Sequence, residues 1–226
     1  MMNNIQAVLF DLDGVIADSE PMWNEIDGTL LAEHGVTYGG EHKEHVVGKS
    51  FTLALQFYKD TFNLRQEIEE LALRRTAIAA DFYAERIPIF ADAPIVLREL
   101  RERNLKLGLA TSSVGTIVQP FLRRHGLTHF FHGIVTGEEV EKGKPHPDIY
   151  WRAAAKVGVA PEACLVVEDA LAGIAAGNSA GMTVVAIPDP RFGDVAVFEG
   201  KAAYILSRLS ELPDLLTAQN SRPPGE

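Results

Sequence analysis

Two carboxylates two positions apart, Asp11 and Asp13, follow directly on the apolar stretch 5–10. A buried strand that ends in a pair of acids puts charge where burial is costly, unless a metal or a reaction uses it. Later strand-like segments also end in polar groups: Thr111-Ser112, then Lys144, then Glu168-Asp169. Two aspartates, a hydroxyl, a lysine and an acidic pair, in that order, are the parts of metal-assisted phosphoryl transfer through an aspartate.

Each group also has a plainer reading. On an extended strand Asp11 and Asp13 would face the same way. In a loop leaving the strand they can diverge, one toward a metal and a phosphorus atom, the other toward a leaving oxygen. The plainer role for such a pair is a turn or a cap. Gly14 lets the backbone run close to a bound anion. Thr111, with free amides opening the next helix, can hold phosphate oxygens. Ser113 is assigned to the cap of that helix, and Ser112 stands between the two tasks. Lys144 lies in Gly143-Lys144-Pro145-His146-Pro147, where two prolines stiffen the loop and allow a lysine to be aimed. A solvated surface lysine is the better reading of Lys142, and a helix-start residue the better reading of His146. Magnesium prefers hard oxygen ligands and is often bound through one or two carboxylates plus phosphate. Asp11 with Glu168 or Asp169 supplies such a site.

Other conspicuous residues read as structural. His42 and His45 suit a solvated helix face, Glu138, Glu139 and Glu141 an exposed acidic loop, and Trp151 a helix face packed on the core. Cys164, flanked by apolar residues, reads as a buried structural thiol. Trp23 lies where a helical stretch begins and could face a substrate.

The elements that must position these groups are short apolar runs at 5–10, 105–110, 133–136, 164–167 and 183–187, with a weaker one at 203–206. They read as buried parallel strands. Helical patterns lie between them, around Ile95 to Leu100, Ile117 to Leu122 and Ile149 to Val157. The alternation implies an α/β fold, a Rossmann-like parallel sheet with helices on both faces. In such sheets ligands bind beyond the carboxyl ends of the strands, the edge on which all four polar clusters fall. The alternation breaks between residues 10 and 105, where helical patterns without a strand read as an insertion over the site. The expected division is a catalytic core of 1–17 and 86–217, a helical cap domain of 18–85 and a loose tail of 218–226. Gly173, Gly177 and Gly181 are expected to let a helix pack closely on the sheet.

The chain has 226 residues, 46% of them hydrophobic, and a formal net charge of -10. That length suits one core with a smaller insertion. Without a basic stripe, nucleic acid is not an expected partner. The acidity means that an anionic substrate needs local help from a cation or a lysine. A single cysteine excludes an internal disulfide framework. No segment approaches the ~20 apolar residues of a membrane span. The expectation is a cytoplasmic protein with no membrane partner, and a monomer.

The motifs Asp11-Leu12-Asp13-Gly14-Val15, Ala110-Thr111-Ser112, Gly143-Lys144-Pro145 and Val167-Glu168-Asp169 resemble those of the haloacid dehalogenase superfamily. The branch is that of phosphatases and phosphomutases with a helical cap after the first strand. The stretch Asp18-Ser19-Glu20-Pro21-Met22-Trp23 looks like the sugar-phosphate phosphatases of that branch, including 2-deoxyglucose-6-phosphatases. The resemblance implies Asp11 as the nucleophile that forms an aspartyl-phosphate, and Asp13 as general acid and base. It places Thr111 and Lys144 on the phosphoryl oxygens, and Mg2+ on Asp11, the Asp13 backbone carbonyl, Glu168 and Asp169. Substrate contacts are implied at Gly14, Ser112, Trp23, Gly48 and Lys49.

Two departures separate hydrolysis from mutase action. β-Phosphoglucomutases carry a histidine where Trp23 stands, and a Ser-Arg pair where this chain reads Val46-Val47-Gly48-Lys49-Ser50-Phe51. Without that arginine, hydrolysis of a small phosphorylated metabolite is the favoured reading and a β-phosphoglucomutase-like reaction the alternative, with Lys49 as the substitute cation. Dehalogenases do not keep Asp13. Receiver-like signalling domains place the acceptor aspartate after a later strand and lack the insertion.

Overall fold

The apolar run before Asp11 becomes the middle of a sheet, with every residue of β1 (Ala7–Phe10) buried. The computed structural model describes residues 5–39, 42, 46 and 51–220. The chain divides into two compact units, Met1–Asp18 with Pro88–Glu226, and Ser19–Ile87. In the first unit β1 is joined by β2 (Lys106–Ala110), β3 (Gly133–Val135), β4 (Cys164–Glu168), β5 (Thr183–Ala186) and β6 (Tyr204–Ile205). All pairs are parallel, in the order β3-β2-β1-β4-β5-β6, the doubly wound α/β arrangement that the alternation predicts.

Among the described residues the second unit is helical: α1 (Glu20–Ala32), α2 (Phe51–Phe62) and α3 (Ile68–Glu85). The first unit carries α4 (Ala93–Glu102), α5 (Gly115–Arg124), α6 (Asp148–Val157), α7 (Leu171–Ser179) and α8 (Leu212–Asn220). Ala7, Leu9, Cys164, Val166 and Val184 pack with Ile149, Tyr150, Ala153 and Ile174 of α6 and α7 in one cluster. The alternate residues Val8, Phe10, Leu165 and Val167 point to the other face and are buried as well. Both faces of the sheet are therefore covered, which is why its strands are apolar throughout. Gly177 brings α7 onto the sheet, since a Cβ there would lie 2.8 Å from Val184 Cγ2.

Several local readings change in the structure. Trp151 is 49% exposed, with its indole N–H donating to the Ala180 carbonyl, because it follows Tyr150 off the buried face of α6. His42 is not on a solvated face: its ring packs 4.9 Å from that of Phe62, and Nδ1 accepts the Gly39 N–H at 3.0 Å. Helix α8 continues through 218–220, part of the segment expected as a loose tail. His45, Gly48 and Lys49 lie outside the described residues. Cys164 is buried, and burial pushes its thiol up to about 11, as expected of a structural cysteine. Among the described residues no helix is long and apolar enough to cross a membrane.

The helical unit buries a charged pair. Arg75 Nε donates to Asp27 Oδ1 at 2.5 Å, and the Tyr58 hydroxyl donates to Asp27 Oδ2 at 2.7 Å. The Arg75 guanidinium also covers the Trp23 ring, 4.6 Å from its centroid, and Trp23 lies 6.2 Å from Tyr83. Removing one partner of a buried pair leaves the other without its compensating charge. Asp27→Ala is expected to destabilise the protein by about 3 kcal/mol, measured by denaturant unfolding. A change within about 0.5 kcal/mol would show that the pair is not a support of this unit.

Candidate active site

Sheet register brings the motif residues together. Phe10 pairs with Leu109 on one side and Val167 on the other, so Asp11, Ala110 and Glu168 leave neighbouring strands at the same level. The Asp11 N–H donates to the Val167 carbonyl at 3.0 Å, and the Thr111 N–H to the Val135 carbonyl at 3.1 Å. These bonds carry the parallel ladder one residue past the apolar runs and hold the first polar residue of each in place.

Lys144 supplies a cation at this edge, and its side chain is buried, unlike exposed Lys142. Its ammonium donates to Glu168 Oε1 at 2.6 Å and to the Ala110 carbonyl at 3.1 Å. It also lies 2.9 Å from Asp11 Oδ1. That approach is a charge contact without hydrogen-bond alignment, so Asp11 Oδ1 is buried with no directed hydrogen bond. Glu168 is fully buried and its bonds are satisfied. The Tyr150 hydroxyl joins Lys144 on Oε1 at 2.6 Å, while the N–H groups of Asp169 and Ala170 donate to Oε2.

Negative charge is in excess here. Burial pushes the Asp11 carboxyl up to about 7; Lys144 opposes the rise, and Glu168 and Asp13 add to it. Asp169 is held well above the usual carboxylate range, by burial first and then by Glu168 and Asp11. Burial would lower the Lys144 pKa, but Asp11 and Glu168 hold it above the usual lysine range. Burial, and then Glu168, keep the Tyr150 phenol protonated. One oxygen each from Asp11, Glu168 and Asp169 lie within 4.8 Å of one another. A buried carboxylate oxygen whose near contact is the Lys144 ammonium, within an all-oxygen donor set, fits a hard cation, whose charge would draw Asp11 and Asp169 back to their ionised forms.

Close packing leaves no freedom at two glycines. Gly14 has φ +72°, and a Cβ there would stand 1.9 Å from Asp169 Oδ2. A Cβ on Gly173, in the first turn of α7, would stand 1.7 Å from Glu168 Oε1. The first finding gives Gly14 a role beside the acidic cluster; the second shows Gly173 making room for Glu168.

Asp13 enters the arrangement through Ser113, whose hydroxyl donates to Asp13 Oδ2 at 2.9 Å. Ser113 is therefore not the cap of α5. The N-cap position is Val114, and the Gly115 N–H donates to Glu138 Oε1 at 2.7 Å. Glu139, expected as exposed, is half-buried in a capping box with Thr136 and pairs with Lys156 at 2.7 Å. Thr111 is buried and its Oγ1 accepts the Ser113 N–H at 3.0 Å, whereas Ser112 is exposed. Trp23 belongs to the helical unit. Sequence reasoning missed the roles of Ser113 and Tyr150. A tyrosine on the apolar face of α6 was the available signal, because a buried phenol needs a partner.

A family model described as haloacid dehalogenase-like hydrolase matches residues 8–187. The chain is 32% identical to "Probable pseudouridine-5'-phosphatase" of Drosophila melanogaster, over 99% of this chain and 96% of that protein. It is 29% identical to hexitol phosphatase B of Escherichia coli (strain K12), over 83% of this chain and 88% of that protein. Among solved structures, a HAD family hydrolase from Deinococcus radiodurans with bound phosphate and sodium aligns with a TM-score of 0.74. It is 28% identical, over 98% of this chain and 99% of that one. On that match and that identity, the chain belongs to the haloacid dehalogenase-like hydrolase family.

Proposed function

We propose that this phosphoric monoester hydrolase acts on small sugar phosphates through an aspartyl-phosphate on Asp11. The observation that carries the reading is Asp11 itself, a buried carboxylate with an oxygen in no directed hydrogen bond and Lys144 2.9 Å away. An oxygen so placed is available to attack phosphorus. Lys144 lowers the repulsion between that carboxylate and the incoming anion, and with Thr111 it positions the phosphoryl oxygens. As the bond from phosphorus to the ester oxygen breaks, the Asp13 carboxyl gives its proton to the leaving alcohol. Asp13, now a carboxylate, then takes a proton from the water that attacks phosphorus, which returns Asp11 and releases phosphate.

Asp11, the Asp13 backbone carbonyl, Glu168 and Asp169 would hold Mg2+, which when bound offsets negative charge on the transferring group. Substrate contacts are proposed at Gly14, Ser112, Trp23, Gly48 and Lys49. The activities for which these relatives are named, on pseudouridine 5′-phosphate and hexitol phosphates, support a small phosphorylated metabolite as substrate.

Phosphorus NMR on a panel of these phosphates, with β-glucose 1-phosphate and a trace of the 1,6-bisphosphate, tests the reading. Inorganic phosphate is expected to grow and to stop on chelation. Conversion of the 1-phosphate to the 6-phosphate without phosphate release would replace hydrolysis by mutase action. Asp11→Asn is expected to lower phosphate release at least about a thousandfold while circular dichroism stays unchanged. Turnover at the level of the unsubstituted protein, in a variant confirmed by mass, would remove Asp11 as nucleophile.

The Asp11 pKa, raised by burial to about 7, lies above its unfolded value near ~4. The folded state therefore favours the protonated form, and stability falls as pH rises through that window in the presence of chelator. Asp169 shifts in the same direction. Mg2+ binds the ionised cluster, so the thermal midpoint is expected to rise with Mg2+ at about pH 8 and much less at about pH 5. Equal midpoints with Mg2+ and with chelator at the higher pH would contradict a cation site here.

A further inference from the structure

Ser113 is held on both sides before its hydroxyl reaches anything. Its N–H donates to Oγ1 of buried Thr111 at 3.0 Å, and its carbonyl accepts the Gly137 N–H at 3.1 Å. Gly137 can approach this closely only without a side chain, because a Cβ there would stand 2.2 Å from the Ser112 carbonyl oxygen. Thr111 is tied in turn to β3 through the Val135 carbonyl. The 111–113 turn is thus clamped between β2 and the loop after β3. Glu138 takes the Gly115 N–H at the start of α5, so the Ser113 hydroxyl is not needed as a cap. It donates instead to Asp13 Oδ2, a hundred positions away in sequence, at 2.9 Å.

Resting on the phosphatase reading above, we propose that Ser113 is the positioning residue for Asp13. Its hydroxyl holds Oδ2 and so fixes the orientation of the carboxyl that hands its proton to the leaving oxygen. Ser113 keeps its own proton throughout. It bonds to the acid before transfer and to the carboxylate that transfer leaves behind, while Asp11 gains the phosphoryl group and the alcohol departs with the proton from Asp13. A carboxyl free to rotate would spend part of its time with the proton turned away from the ester oxygen.

The test separates positioning of the acid from general damage to the site. The ratio kcat/KM reports the steps up to loss of the alcohol, before Asp13 acts as a base. It is to be measured with Mg2+ on a sugar phosphate, whose alkoxide needs a proton to leave, and on p-nitrophenyl phosphate, whose phenolate does not. Ser113→Ala is expected to lower kcat/KM for the sugar phosphate about tenfold or more, and for p-nitrophenyl phosphate by less than about threefold. Ser113→Thr, which keeps the hydroxyl, is expected to recover most of the loss. In an Asp13→Asn background Ser113→Ala is expected to add nothing further, because the group it positions is gone.

Equal losses on the two substrates, or additive losses in the double variant, would overturn the role of Ser113 while leaving the phosphatase reading in place. An unsubstituted protein that releases phosphate from neither substrate would overturn the reading and the inference together.

Discussion

An excess of carboxylate around the Lys144 ammonium governs this structure. Asp11 and Glu168 pair with Lys144 where β1 and β4 end, and Asp169 lies beside the two carboxylates. Charges out of water are stable only when paired and fully bonded, and the protein surrounds them accordingly. Tyr150 and two backbone N–H groups satisfy what Lys144 leaves open on Glu168. Gly173 makes room for that carboxylate, and Gly14 makes room for Asp169. Among the buried side-chain atoms of the described residues, Asp11 Oδ1 has no directed hydrogen bond, and it belongs to the carboxylate proposed as the nucleophile. Glu168 is fully bonded beside it, so the well-bonded part of the cluster is the carboxylate that lies deepest.

The same constraint shows which parts could be read from the chain alone. Strands and the helices between them were legible because burial on both faces makes a parallel strand a continuous apolar run, and because α6 repeats its apolar residues at helical spacing. The motif residues were legible because polar groups at the ends of such runs fall on one edge of the sheet. What a side chain does once it arrives depends on partners distant in sequence. Ser113 looks like a cap until Glu138 is seen to take the N–H of α5, and Tyr150 looks like core until its hydroxyl is seen on Glu168. Trp151 was misplaced by one position on its helix, since Tyr150 and not its neighbour faces inward.

The helical unit follows a similar rule on a smaller scale. Asp27 gathers Arg75 and Tyr58, and Arg75 then lies over Trp23. One face of Trp23 is therefore committed to the protein, and any role in substrate choice falls to the rest of the ring. A buried ionic pair is seldom the most stable filling for a helical core, but it fixes which side chains stand where. Here it fixes the orientation of the aromatic residue at the start of α1.

The account rests on Asp11 as the residue that carries the phosphoryl group. The most direct measurement is rapid acid quenching during a single turnover of a sugar phosphate with Mg2+, followed by peptide mapping by mass spectrometry. The account predicts a phosphoryl group on the peptide that contains Asp11, rising and decaying as phosphate appears. Phosphate release with no phosphorylated peptide at any time, or with the group on another residue, would contradict it.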